Sequence, residues 1–158
     1  MKRSICLLPL FLLLFAACNQ KDTNYIHPQK INVIPEPVEV NWEKGYFNLN
    51  KETKLIFNRV EENDTTAQYI IEHYQKYFGF TPKIRRNLTN PDKAVIFELN
   101  KNEDPDTGKE GYRMEINHDQ IRVTANTTSG LFYGFQTLFQ LAPPDIIENR
   151  QEKITFPA

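Results

Sequence analysis

Gly130-Leu131-Phe132-Tyr133-Gly134-Phe135-Gln136-Thr137-Leu138-Phe139-Gln140-Leu141 is the stretch from which the rest of the chain is read. Leu131, Phe132, Phe135, Leu138, Phe139 and Ala142 recur at helical spacing, while Tyr133, Gln136, Thr137 and Gln140 fall on the other side. The pattern predicts a helix from about Ser129 to Ala142, stopped by Pro143-Pro144. Gly130 and Gly134 lie one turn apart, so a neighbouring element can approach the backbone there.

Immediately before it the period is two. Tyr112, Met114 and Ile116 alternate with polar residues, as do Ile121, Val123 and Ala125, with His118-Asp119 between them as turn chemistry. This predicts a hairpin feeding the helix. Asn100 to Gly111 is polar, with Pro105 and Gly108, and reads as an exposed loop. Ala94 to Leu99 is a compact apolar strand expected near the sheet centre, and Phe80 to Arg86 is extended behind Pro82. Ala67, Ile70, Ile71, Tyr74, Tyr77 and Phe78 form a second helical stripe, with Asp64 or Thr65 as N-cap and Gly79 just past its end. Lys54–Asn58 and Tyr46–Leu49 read as short strands. Val38, Val40 and Trp42 alternate with polar residues and predict a half-buried strand, following Pro35-Glu36-Pro37, which forces an extended path.

Strands, a helix, a strand group with a hairpin, then a helix suggest an α+β fold. The economical arrangement is a mostly antiparallel sheet with two helices packed on one face. What covers the other face is not specified by the pattern.

The amino terminus has a separate logic. Lys2 and Arg3 precede an apolar run from Ile5 to Phe15, and Ala16-Ala17 precede Cys18. The run is too short to cross a hydrocarbon core about 30 Å thick, which takes roughly 20 residues, but it suits a secretory signal. Phe15-Ala16-Ala17-Cys18 resembles a bacterial lipobox, with Phe15 where Leu is usual. The expected organisation is a signal peptide at 1–17, a lipidated flexible tether at 18–30 and a folded domain from 31. The resemblance implies a diacylglyceryl group on Cys18, hence a lipid-anchored location in the bacterial cell envelope. Cys6 leaves with the signal, so Cys18 has no cysteine to pair with.

The mature chain of about 140 residues suits one domain, and a domain of that size buries roughly 68% of its unfolded surface. The formal charge of the whole chain is −1, which gives no basic footprint for nucleic acid. Catalytic constellations are sparse. Glu61-Glu62 and Glu103-Asp104 are adjacent carboxylates that read as solvated loop charge. His27, His73 and His118 lack metal-ligand spacing, and there is no glycine-rich phosphate loop, so no metal or cofactor is expected. Asn87-Leu88-Thr89 and Asn126-Thr127-Thr128 match the glycosylation sequon, a match without meaning behind a bacterial signal. Tyr112, Phe132, Tyr133 and Phe135 could stack on a sugar, although their periodicity fits core packing.

Two stretches resemble a known family. Val33-Ile34-Pro35-Glu36-Pro37-Val38-Glu39-Val40 looks like the opening of the N-terminal domain of glycoside hydrolase family 20, the exo-β-N-acetylhexosaminidases. Glu110-Gly111-Tyr112-Arg113-Met114-Glu115-Ile116, then Ile121 to Ala125, then Gly130 to Leu141, follow its strand–strand–helix signature. The resemblance covers about Ile31 to Ala158. It implies a hexosaminidase domain-2-like accessory domain at 31–146 and a link at 147–158 into a catalytic (β/α)₈ barrel. In that family a barrel Glu is the general acid, and a neighbouring Asp orients the substrate acetamido group for substrate-assisted, retaining removal of terminal N-acetylglucosamine or N-acetylgalactosamine. No Asp-Glu dipeptide occurs in this chain, so no catalytic residue carries over. The chain is therefore expected to be a non-catalytic part of such an enzyme. A stand-alone lipid-anchored module that binds glycan, or the corresponding domain of a family 84 N-acetylglucosaminidase, remains the alternative.

Overall fold

The computed structural model describes residues 31–89, 91–146 and 152–158. The signal at 1–17, Cys18, the tether to residue 30 and His27 lie outside the described residues.

The elements in chain order are β1 (Tyr46–Asn50), β2 (Lys54–Asn58), α1 (Thr65–Phe78), β3 (Lys83–Arg86), β4 (Ala94–Leu99), β5 (Tyr112–Ile116), β6 (Gln120–Ala125), α2 (Thr128–Leu141) and β7 (Lys153–Pro157). A five-stranded sheet runs β3-β2-β4-β6-β5, with β4 at its centre, and β1 pairs with β7 in a separate two-stranded sheet. The α+β class with two helices on one face stands. The strand directions differ from the expectation. β2–β3, β2–β4 and β4–β6 are parallel, and within the larger sheet only β5–β6 is antiparallel. The cause is connectivity: α1 is the crossover between β2 and β3, and a strand–helix–strand unit returns the chain in the same direction. The run Ala94-Val95-Ile96-Phe97, buried at four successive positions, is the composition that parallel strands favour.

Both helices begin as their sequences dictate. The Asp64 carboxylate accepts from Thr66 N and Ala67 N at 2.9 and 3.0 Å, and Gly79 ends α1 in the left-handed region at φ 75°. The Thr127 hydroxyl caps α2.

One face of the sheet carries the main core. Leu55, Phe57, Val95, Phe97, Ile121, Val123 and Ala125 meet Ala67, Ile70, Tyr74 and Phe78 of α1 and Leu131, Phe135 and Leu138 of α2. Phe135 lies at the centre, 6.0 Å from the Phe97 ring and 6.4 Å from Phe78. Each such side chain contributes about 1.5–3 kcal/mol by leaving water. The face away from the helices holds a smaller cluster, Ile56, Ala94 and Ile96, and the register sets Arg85 and Arg122 on either side of the Ile56–Ile96 pair.

Two further expectations are corrected. Val38 to Trp42 forms no strand, and Val38 and Val40 are exposed. Apolar alternation needs a ladder partner to become a half-buried strand, and this segment runs extended over the surface after two prolines. The end of the chain, expected as a link, is part of the fold. β7 pairs with β1 from Lys153↔Asn50 to Pro157↔Tyr46, and Ile154 and Phe156 join the core beside Phe47 and Leu49.

Candidate functional site

The candidate residues do not converge. Glu61, Glu62 and Glu103 are exposed, and His118 sits in the β5–β6 turn. Asp104 organises its own loop: it accepts from Thr107 Oγ1 at 2.7 Å and Asp106 N at 3.1 Å, and those bonds, with the Arg113 guanidinium nearby, hold its carboxyl below the usual range. His73 is on α1, stacked on Tyr69 at 3.8 Å. Among the described residues no group of His, Cys, Asp or Glu could hold a metal ion, and no helix is long and apolar enough to cross a membrane.

The two sequon asparagines have structural work. Asn126 accepts from Asn100 Nδ2 at 2.7 Å and Asp104 N at 2.9 Å, and donates to the carbonyls of Asp104 and Gly108. It thereby pins the Asn100–Gly111 loop to the end of β6. Asn87 adopts φ 52° and accepts from Arg59 N.

The aromatic candidates divide by depth. Phe135 is core, and the Tyr112 hydroxyl meets Thr137 Oγ1 at 2.5 Å under α2. Phe132 and Tyr133 belong to an aromatic file where α1 and α2 meet on the side away from the sheet. Tyr77 stacks on Phe139 at 4.0 Å, Tyr69 meets Phe132 at 5.2 Å, and Phe132 meets Tyr133 at 5.4 Å. Tyr133 is 43% exposed. Gln140 extends this surface: its amide accepts from Ile34 N at 2.9 Å and donates to Ile34 O at 3.0 Å, which clamps the Ile34-Pro35 segment beside α2 and leaves the Ile34 side chain outward.

Sequence reasoning missed one further feature, a polar cavity of about 470 Å³ on the helix-free side. Its lining comes from the ends of β2 and β4, the loop after β3 and the start of β6, elements far apart in sequence, which is why no local motif announces it.

With this geometry in view, comparison with known proteins is decisive. The profile described as glycosyl hydrolase family 20, domain 2, matches residues 30–158. The chain belongs to this family. A beta-hexosaminidase of Porphyromonas gingivalis is 24% identical over 142 residues, covering 85% of this chain and 17% of that protein. The family 20 β-N-acetylhexosaminidase of Streptomyces coelicolor A3(2) aligns with a TM-score of 0.65 at 22% identity, over 80% of this chain and 25% of that one. The N-acetyl-β-hexosaminidase of Streptomyces plicatus gives 0.61 at 23% identity, over 78% and 26%. These structural likenesses show a shared fold. The family 20 domain accounts for about a quarter or less of the length of each relative.

Proposed function

We propose that the chain is the non-catalytic accessory domain of a β-N-acetylhexosaminidase. In this reading it seats a catalytic (β/α)₈ barrel and holds it at a bacterial envelope membrane through lipid on Cys18. The observation that carries it is the match of residues 30–158 to domain 2 of family 20, together with the lack of any converging acid pair among the described residues. The aromatic file of α1 and α2, with Tyr133 and Ile34 exposed beside it, supports this helix pair as the seat of the barrel. Hydrolysis of terminal N-acetylglucosamine or N-acetylgalactosamine would belong to the barrel, whose Asp-Glu pair supplies the orienting and acid groups.

An assay of the purified chain with a chromogenic N-acetylglucosaminide tests the division of labour. No turnover is expected, and turnover above background would overturn it. Labelling cells with a fatty-acid analogue tests the anchor. Label is expected on the wild-type chain and lost in Cys18→Ser, while persistent label would remove the lipoprotein reading. The exposure of Tyr133 favours one other reading, a glycan-binding module. Saturable binding of chitobiose that Tyr133→Ala abolishes would select it over the barrel seat.

A further inference from the structure

The helix-free side of the sheet carries the polar cavity, apart from the helix pair. This cavity is lined by Asn58, Arg59, Asn87, Thr89, Gln120 and Arg122, with Glu98 and Leu88 completing the wall. It reaches from the carboxyl ends of β2, β3 and β4 across the sheet face to Arg122 and Gln120 at the start of the parallel strand β6. Two residues at its mouth, Arg59 and Asn87, hold left-handed φ of 58° and 52°, a conformation that costs free energy in any residue but glycine. Each is fixed by the other, since Arg59 N donates to Asn87 Oδ1 at 3.1 Å.

The hydrogen-bond inventory of the wall is lopsided. The amide and carboxylate oxygens of Asn58, Asn87, Glu98 and Gln120 each already accept a hydrogen bond. Glu98 takes Arg59 Nη2 on one oxygen and Arg122 Nη1 on the other. Gln120 Oε1 accepts from Arg122 Nη2 at 3.2 Å, and the Asn58 amide is spent on both backbone groups of Leu88 at 3.1 Å. The donors are not used up. A guanidinium has five N–H donors, and among the described residues Arg59 places only Nε and Nη2, and Arg122 only Nη1 and Nη2. Thr89 and the Gln120 amide nitrogen add further donors. Two guanidiniums face one carboxylate, so the lining is a net cation. Glu98 and Arg122, only 14% and 18% exposed, neutralise each other, so the excess positive charge is that of Arg59, which is 45% exposed and reaches the solvent side of the cavity.

We infer that this cavity binds an oxyanion, a carboxylate or sulfate group, alone or carried on a sugar. A donor-rich, cationic wall complements charge-assisted and forked contacts to such a group. A neutral sugar would have to share the Glu98 oxygens with Arg59 and Arg122, whereas an oxyanion uses the spare donors directly.

The test is an NMR titration of the full chain, following the Arg Nε–H signals at constant ionic strength. The probes are glucuronate, glucose and inorganic sulfate. Saturable shifts of the Arg59 and Arg122 signals with glucuronate, and none with glucose, are expected. Glucuronate binding tighter than sulfate identifies an acidic sugar as the ligand, and equal binding identifies a bare oxyanion site. Arg59→Gln should weaken binding by about tenfold or more, because Glu98 keeps Arg122 and the lining loses its excess charge. If that variant fails to fold, the wild-type glucuronate and glucose titrations decide alone. No shift with either anion, or the same shift with glucose, overturns the assignment.

Discussion

Gly134 lies so close to Val123 that a Cβ placed on it would stand 2.3 Å from Val123 Cγ1 and 3.3 Å from the Tyr112 ring. The seam between α2 and the β5–β6 hairpin is thus built on a missing side chain. Gly134→Ala should destabilise the domain. Overpacking costs about 1–3 kcal/mol, and the better helix propensity of Ala returns only about 1 of it. Gly130→Ala should cost more, because its Cβ would meet Gly111 O at 2.4 Å, and backbone cannot swing aside. Thermal melting of the two variants should rank them in that order. Equal or raised melting temperatures would show that the seam is loose.

Asn126 ties the Asn100–Gly111 loop to the end of β6 through bonds to Asn100, Asp104 and Gly108. Asn126→Ala leaves those partners without it, at about 1–3 kcal/mol for groups shielded from water. Hydrogen exchange should accelerate from Asp104 to Gly108, while β4 amides stay protected. Unchanged exchange in the loop would mean that it is held elsewhere.

Tyr74 is wholly buried, and among the described residues its hydroxyl has no hydrogen-bond partner. Burial alone pushes its ionisation far above the usual phenol range. Tyr74→Phe removes the unpaired group and keeps the ring that meets Phe78 at 5.1 Å. Stability should be equal or higher, by up to about 1–3 kcal/mol, as measured by urea denaturation. A marked loss would reveal a partner for the hydroxyl.

The carboxyl of Asp104 is held below its ordinary value, first by Thr107 and then by the Asp106 amide. A depressed folded value means that the unfolded chain binds the proton more tightly. The contribution to stability is therefore present above about pH 4, the unfolded carboxylate value, and is lost as pH falls through the folded value. Acid titration should loosen the loop at a lower pH in wild type than the ordinary value alone would give. Asp104→Asn should remove that step from the loop's pH profile.

Most of the element order was legible in the sequence, because packing and local chemistry agree there. Lys54–Asn58 and Ala94–Leu99 are the observed strands, and the Asp64 cap and Gly79 stop bound α1 as read. Strand direction was obscured because β6 carries the alternation typical of antiparallel sheets, while the deciding fact, that α1 bridges two neighbouring strands, is a matter of pairing. Val38–Trp42 misled because alternation records which side chains share a face, not whether anything lies against that face. The polar cavity was invisible for a related reason: Arg59, Glu98 and Arg122 are brought together only by the registers β2–β4 and β4–β6.

The pairing of β1 with β7 sets how the domain would bear a load. Tyr46 lies opposite Pro157, so the chain before β1 and the chain after β7 leave the same end of one ribbon. Tension applied between the chain before β1 and the chain after β7 would enter at that end and peel the ribbon rung by rung. Opening it would also draw Phe47, Leu49, Ile154 and Phe156 out of the core they share with α1 and α2. The ribbon is in this sense a mechanical clasp, whose resistance to opening is the burial of those four side chains.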